Sequence, residues 1–206
     1  MTAFDFTQLA LSERSRLMTR IVAPRPIAFV SSLSAAGVGN LAPFSFFTAG
    51  GANPPVVLFC ASNDRAGRVK DTVRNIERTG EYVISTVTRA MAERMNRASF
   101  EYPEEVDEFD LAPFTRLASV KVQPPGVAES PLRIECRLLK VERVGQGPTA
   151  TNIVIGEVLY VTADDAVCTD GLPDNHKLGQ LARLGSDLYV PMMPDALFSL
   201  ARPKTP

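Results

Sequence analysis

Hydrophobic and polar positions change period several times along this chain of 206 residues. Residues 7–18 set Leu9, Leu11 and Leu17 among polar side chains, with Ser12 as a cap candidate, which predicts a short helix. Residues 26–33 (PIAFVSSL) and 40–47 (NLAPFSFF) read as strands, and the turn-rich SAAGVG between them suits a hairpin. Residues 55–61 (PVVLFCA) are continuously apolar, the mark of a strand buried on both faces. Between residues 63 and 79 a loop leads into a helix that aligns Val69, Val73 and Ile76 and stops at Gly80. A strand follows at 81–88 (EYVISTVT) and a helix at 89–100. Residues 101–113 are acidic and hold Pro103 and Pro113, so they read as an exposed excursion. Alternation returns at 130–144 and 152–162, predicting two more strands.

Strands joined mostly by turns argue for an antiparallel barrel or sandwich. A parallel nucleotide-binding sheet needs a crossover helix between successive strands, and none separates the first three runs. Gly37-Val38-Gly39 is no nucleotide loop, since neither a third glycine nor a helix follows it. The expectation is a mainly β chain with a few flanking helices, forming one domain over residues 1–206.

Composition narrows the function classes. A hydrophobic share of 45% with 22% charged residues excludes intrinsic disorder. Lys+Arg of 22 against Asp+Glu of 23 removes the basic excess that a polyanion binder shows, so nucleic acid is not the expected partner. Cys60, Cys136 and Cys168 are too far apart for a CxxC metal pattern or a disulfide framework, and the first two read as buried small hydrophobes. Charges arrive early at the N-terminus, and no run approaches the ~18 apolar residues of a membrane span. A soluble, cytoplasmic protein without a membrane partner is expected.

Candidate chemistry is sparse. The single histidine, His176, lies in the polar loop GLPDNHKLG, with no second His or Cys beside it for a metal and no GxSxG elbow in the chain. No residue is nominated as a catalytic acid, base or nucleophile, and no metal site is expected. Residues 65–75 (RAGRVKDTVRN) gather Arg65, Arg68, Lys70 and Arg74 around Asp71 and Thr72 where a helix begins. Free N–H groups and the helix dipole favour an anion there, and Thr72 adds a hydroxyl donor. If the helix runs from Arg65, then Arg65, Arg68, Thr72 and Asn75 form one stripe; if it starts near Asp71, that residue is the N-cap and Lys70 stands at the mouth. A merely solvated basic helix face fits the same residues. In NLAPFSFF, Pro43 offers no ladder N–H. That suits either an edge or bulged strand whose phenylalanines fill the core, or one whose free backbone groups meet a planar heteroaromatic ligand.

Five blocks in order carry a resemblance: PRPIAFVSS (24–32), GNLAPFSFF (39–47), KDTVRNI (70–76), AESPLRIEC (128–136) and RLGSDLY (183–189). With them the chain resembles the flavin reductase-like, FMN-binding split-barrel family, in its longer flavoredoxin-type branch. The resemblance implies a Greek-key split β-barrel, a homodimer, and FMN near the subunit interface. The segments matching Ser31, Ser32 and the 40–47 strand lie along the flavin and its ribityl chain in that family, and Asn40, Ala42, Ser45 and Phe46 are the matching positions. Lys70, Asp71 and Thr72 match its phosphate-recognition block, and Arg183, Leu184, Gly185 and Tyr189 the C-terminal motif that completes the pocket. Arg25 joins them on motif position alone. The chain departs from relatives that carry two glycines after Arg-Leu, since Gly185 is followed by Ser186 and Asp187.

The activity that the resemblance implies is FMN-dependent oxidoreduction, from NAD(P)H through the flavin to a free flavin, a partner protein or a small acceptor. FMN brings its own hydride and electron chemistry, which accounts for the missing catalytic triad. The rival expectations are an FMN-bearing electron carrier that does not use NAD(P)H and a barrel that has lost its flavin.

Overall fold

The computed structural model describes residues 1–203. Seven strands form one antiparallel sheet: β1 Ala28–Leu33, β2 Gly39–Phe44, β3 Phe47–Ala52, β4 Pro55–Ser62, β5 Glu81–Ser85, β6 Leu132–Val144 and β7 Thr151–Ala163. Their order is β2-β1-β5-β6-β7-β4-β3. β2 and β3 are therefore the two edges, yet only Ser45 and Phe46 separate them along the chain. Six strand spacings laid flat would place the edges ~29 Å apart. Three residue steps from Phe44 to Phe47 span at most ~11 Å. The sheet must curl until its edges meet, which makes it a split barrel, as the sequence blocks implied.

Alternation along β1 sorts side chains to two sides. Ala28 and Val30 join a barrel core with Phe59, Tyr82, Ile84, Cys136 and Val154, while Phe29 faces an outer layer with Leu41, Met91, Met95, Phe109 and Phe114. Inside the barrel, Phe59 packs on Phe44 at 5.0 Å and edge-on to Tyr82 at 5.8 Å between ring centroids. Gly156 makes room for Tyr82: a Cβ there would lie 1.9 Å from the tyrosine oxygen.

Among the described residues there are five short α-helices: α1 Leu11–Ile21, α2 Asp71–Thr79, α3 Ala92–Arg97, α4 Glu108–Leu111 and α5 Asn175–Leu178. α2 sends Val73 and Ile76 into the barrel core and ends at Gly80, whose φ of 76° is the left-handed turn a glycine adopts freely. Short strands Arg25–Pro26, Leu181–Arg183 and Tyr189–Pro191 form a separate three-stranded sheet.

Several expectations need correction. The first helix starts at Leu11 with Ser12 inside it, because Glu13 reaches back to accept from the Ala10 N–H at 3.1 Å. The 40–47 strand is two pieces, since the chain leaves one edge after Phe44 and enters the other at Phe47. The 55–61 run is not buried on both faces: Val57, Phe59 and Ala61 point inward while Val56, Leu58 and Cys60 are half-covered. The 89–100 helix is a 3₁₀ turn at Arg89–Met91 followed by α3. The acidic excursion is anchored rather than free, for Glu108, Phe109 and Ala112 within it are buried, as is Phe114 just beyond. Two phenylalanines among the carboxylates gain more by burial than the segment gains by full solvation.

Candidate functional site

The N-terminus of α2 is the focus. Asp64 accepts from the N–H groups of Ala66 and Arg68, both at 2.8 Å, and Gly67 takes a φ of 81°. That turn prevents a helix from starting at Arg65 and settles the two starts that the sequence left open. Lys70 becomes the N-cap residue, Asp71 the first helical residue and Thr72 the second. The first intrahelical donors are Val73 and Arg74, which both bond the Lys70 carbonyl, so the Asp71 and Thr72 N–H groups have no partner among the described residues.

A buried polar chain joins this helix end to the barrel edge. Thr72 donates its hydroxyl to Asn40 Oδ1 at 2.5 Å. Asn40 Nδ2 donates to both Glu108 carboxylate oxygens at 3.2 Å, and the Leu41 N–H reaches Glu108 Oε2 at 2.9 Å. Asn75 donates to Ser32 Oγ at 3.4 Å. Glu108 thus occupies the free edge of β2. Pro43, two residues beyond Leu41, has its ring nitrogen on that same free side, where no ladder bond is lost. Burial pushes the Glu108 carboxyl up to about 7, against the lowering effect of the bonds from Leu41 and Asn40.

A cleft of about 490 Å³ opens onto this network. Asn40, Ala42, Arg68, Lys70, Asp71 and Thr72, six of the residues singled out in the sequence, line it together with Pro43, Phe44 and Arg74. The fold also brings carboxylates that the basic stretch did not reveal. Arg68 pairs with Asp64 at 2.7 Å, Lys70 with Glu101, and Arg74 with both Asp71 and Glu104, the latter at 2.7 Å. Glu101, Glu104 and Glu108 all come from the acidic segment and were missed as site residues. The interleaved Phe109 and Phe114 were the available signal that this segment packs back on the barrel.

The remaining candidates fall elsewhere. Arg25, Ser45, Phe46, Arg183 and Leu184 line a second cavity of about 460 Å³, at the β2–β3 crossover. Arg25 is buried and donates to the carbonyls of Thr19, Val22 and Leu184 at 2.5, 2.6 and 2.9 Å, so it clamps the end of α1 to the C-terminal motif. Arg183 sits over the Tyr189 ring at 5.4 Å, and Gly185 packs so closely on Arg20 that a Cβ would lie 2.4 Å from its Cγ. Ser31 is buried and spends its hydroxyl on the Pro125 carbonyl. Ser32 lies behind the cleft in the polar chain, and Arg65 is exposed outside it. His176 is exposed on α5, away from both cavities.

The donor set fits a phosphate. Two unpartnered helix N–H groups and a lysine converge at one end of a cleft walled by Ala42, Pro43 and Phe44. A flavin mononucleotide needs such an arrangement, provided that the phosphate takes Lys70 from Glu101.

Comparison with known proteins agrees with this architecture. An uncharacterised protein of Halalkalibacterium halodurans is 36% identical over 197 residues, covering 95% of this chain and 93% of the relative. The crystal structure of nitrilotriacetate monooxygenase component B from Bacillus cereus superposes with a TM-score of 0.90 at 29% identity, covering 97% and 98% of the two chains. Pseudomonas fluorescens 2-nitrobenzoate 2-nitroreductase gives a TM-score of 0.88 at 25% identity, covering 98% and 97%. Residues 18–177 match the model of the flavin reductase like domain, and the chain belongs to that family.

Proposed function

We propose that this protein is an FMN-dependent oxidoreductase that takes reducing equivalents from NAD(P)H and passes them to a flavin, a partner protein or a small acceptor. The observation that carries the reading is the free N-terminus of α2, with Lys70 beside it, opening onto the cleft along β2. Family membership and oxidoreductase neighbours support flavin-related redox chemistry.

The chain's own residues have holding roles. The Asp71 and Thr72 N–H groups and Lys70 bind the flavin phosphate. Asn40, held by Glu108, fixes Thr72 and so fixes the helix end against the barrel edge. Ala42, Pro43 and Phe44 wall the ring side and exclude water there. The bound flavin supplies hydride and electron transfer, and the protein needs no acid, base or nucleophile of its own. Arg25, Ser45, Phe46, Arg183, Leu184, Gly185 and Tyr189 complete the pocket across the crossover, in a homodimer.

The test is anaerobic stopped-flow reduction of the FMN-loaded protein by NADH and by NADPH, followed by loss of the flavin's blue absorption band. Rapid bleaching by either nicotinamide is expected. Bleaching only by dithionite would leave an electron carrier instead. For the cradle, K70A/T72A should loosen FMN in a titration, and an unchanged affinity would refute the assignment.

A further inference from the structure

The acidic segment does more than wall the cleft. Its ends are anchored, Ala98 in the outer core on one side and Glu108 with Phe109 on the other. The residues between them contribute nothing to either core, and Phe100 is 68% exposed. This suspended strap places Glu101 on Lys70 and Glu104 on Arg74. Lys70 at the N-cap and Arg74 in the first turn are thus already paired with carboxylates, Arg74 with Asp71 as well, while the Asp71 and Thr72 N–H groups are not.

That pairing has a chemical consequence, resting on the phosphate-cradle reading above. A phosphomonoester carries roughly −1.5 to −2 charge at pH 7 and accepts strong charge-assisted bonds, so it outcompetes a single carboxylate for an ammonium or guanidinium group. Both glutamates are tethered within a few residues of anchored backbone, and they re-pair as soon as the phosphate moves off. We infer that Glu101 and Glu104 are a built-in displacing anion that weakens the grip on the flavin phosphate and makes the flavin exchangeable rather than permanently held. Their carboxylates are more than half exposed, at 57% and 66%, so a rotamer change frees the cations without moving the barrel.

The experiment measures FMN and riboflavin affinity and release rate for the wild-type chain, E101Q/E104Q and K70A. Two exposed pairs of this kind are each worth a few-fold. The glutamine variant should therefore bind FMN about three- to ten-fold more tightly, with correspondingly slower release, while riboflavin, which has no phosphate, is unaffected. FMN release that is unchanged or faster in E101Q/E104Q overturns the inference. So does an equal change for riboflavin, which would assign the effect to the strap's shape rather than its charge. If K70A leaves FMN affinity untouched, the phosphate does not sit at this helix end, and the cradle reading falls together with the competition. If K70A weakens FMN and the glutamine variant does not tighten it, the cradle stands and the competition alone fails.

Discussion

Thr72 and Asn40, 32 positions apart in sequence, share a buried hydrogen bond of 2.5 Å that ties the first turn of α2 to the edge of the barrel. The bond spends the threonine hydroxyl on alignment and leaves the helix N–H groups for a ligand. Thr72 is therefore a positioning residue as much as a donor.

Replacing Thr72 by valine should lower FMN affinity about five-fold, the size of one neutral hydrogen bond, because the loss of the bond to Asn40 lets the helix end shift while its N–H groups remain. T72S keeps the hydroxyl and should restore most of the affinity, which a purely steric role for the side chain would not predict. H176A should leave it unchanged, since that side chain is exposed on α5. Quenching of flavin fluorescence on titration measures all three.

Glu108 gives the protein a defined pH response. Its carboxyl titrates at about 7 in the fold against an ordinary value of 4.5. Between those values the folded state binds more protons than the unfolded one, so this group's contribution to stability falls as pH rises from 4.5 to 7 and is level above. E108Q removes the ionisation. Its stability relative to wild type should improve by on the order of 2 kcal/mol between pH 5 and pH 8. Any loss at the Asn40 contact enters at both pH values and cancels. Urea unfolding at the two pH values reads the difference.

Gly156 to alanine should destabilise the fold by about 3 kcal/mol, because the added methyl collides with Tyr82 in the barrel core. Y82F should be close to neutral, since the Tyr82 hydroxyl is buried without a hydrogen-bond partner among the described residues. Y82F should rescue G156A only in part, for the Tyr82 Cζ also lies within 2.7 Å of the added atom. Denaturant midpoints of the two single variants and the double variant form the cycle that checks this.

Arg25 to lysine should cost about 2 kcal/mol, as an ammonium cannot reproduce the fork to three carbonyls. The loss should concentrate at the N-terminus: amide hydrogen exchange across α1, Leu11–Ile21, should quicken more than across β1 or β5.

Local rules carried much of the reading. Strand-like runs located β1 and β5, and alternation β6 and β7, to within a few residues, and the Gly80 stop placed the end of α2. Asn40, Ala42, Arg68, Lys70, Asp71 and Thr72 stand out in the sequence alone, and one cleft holds them. Local pattern failed where the same residues allowed two backbone geometries, or where a decision depended on distant partners. Whether a helix began at Arg65 or Asp71 turned on the Asp64 side chain and the backbone at Gly67. A break after Phe44 is invisible in NLAPFSFF, because it answers to the two sheet edges meeting, not to any turn residue.

The chain's own pattern thus determined most of the strands, the antiparallel class and a basic, threonine-bearing helix that ends at Gly80, since periodicity and capping act over a few residues. Tertiary structure alone decided what surrounds that start: Asn40 bonded to Thr72, Glu108 sealed on the strand edge, Glu101 and Glu104 on the cations. These partners lie 30 or more residues apart, and a charge's surroundings depend on which segments the curled sheet and its buried phenylalanines draw together.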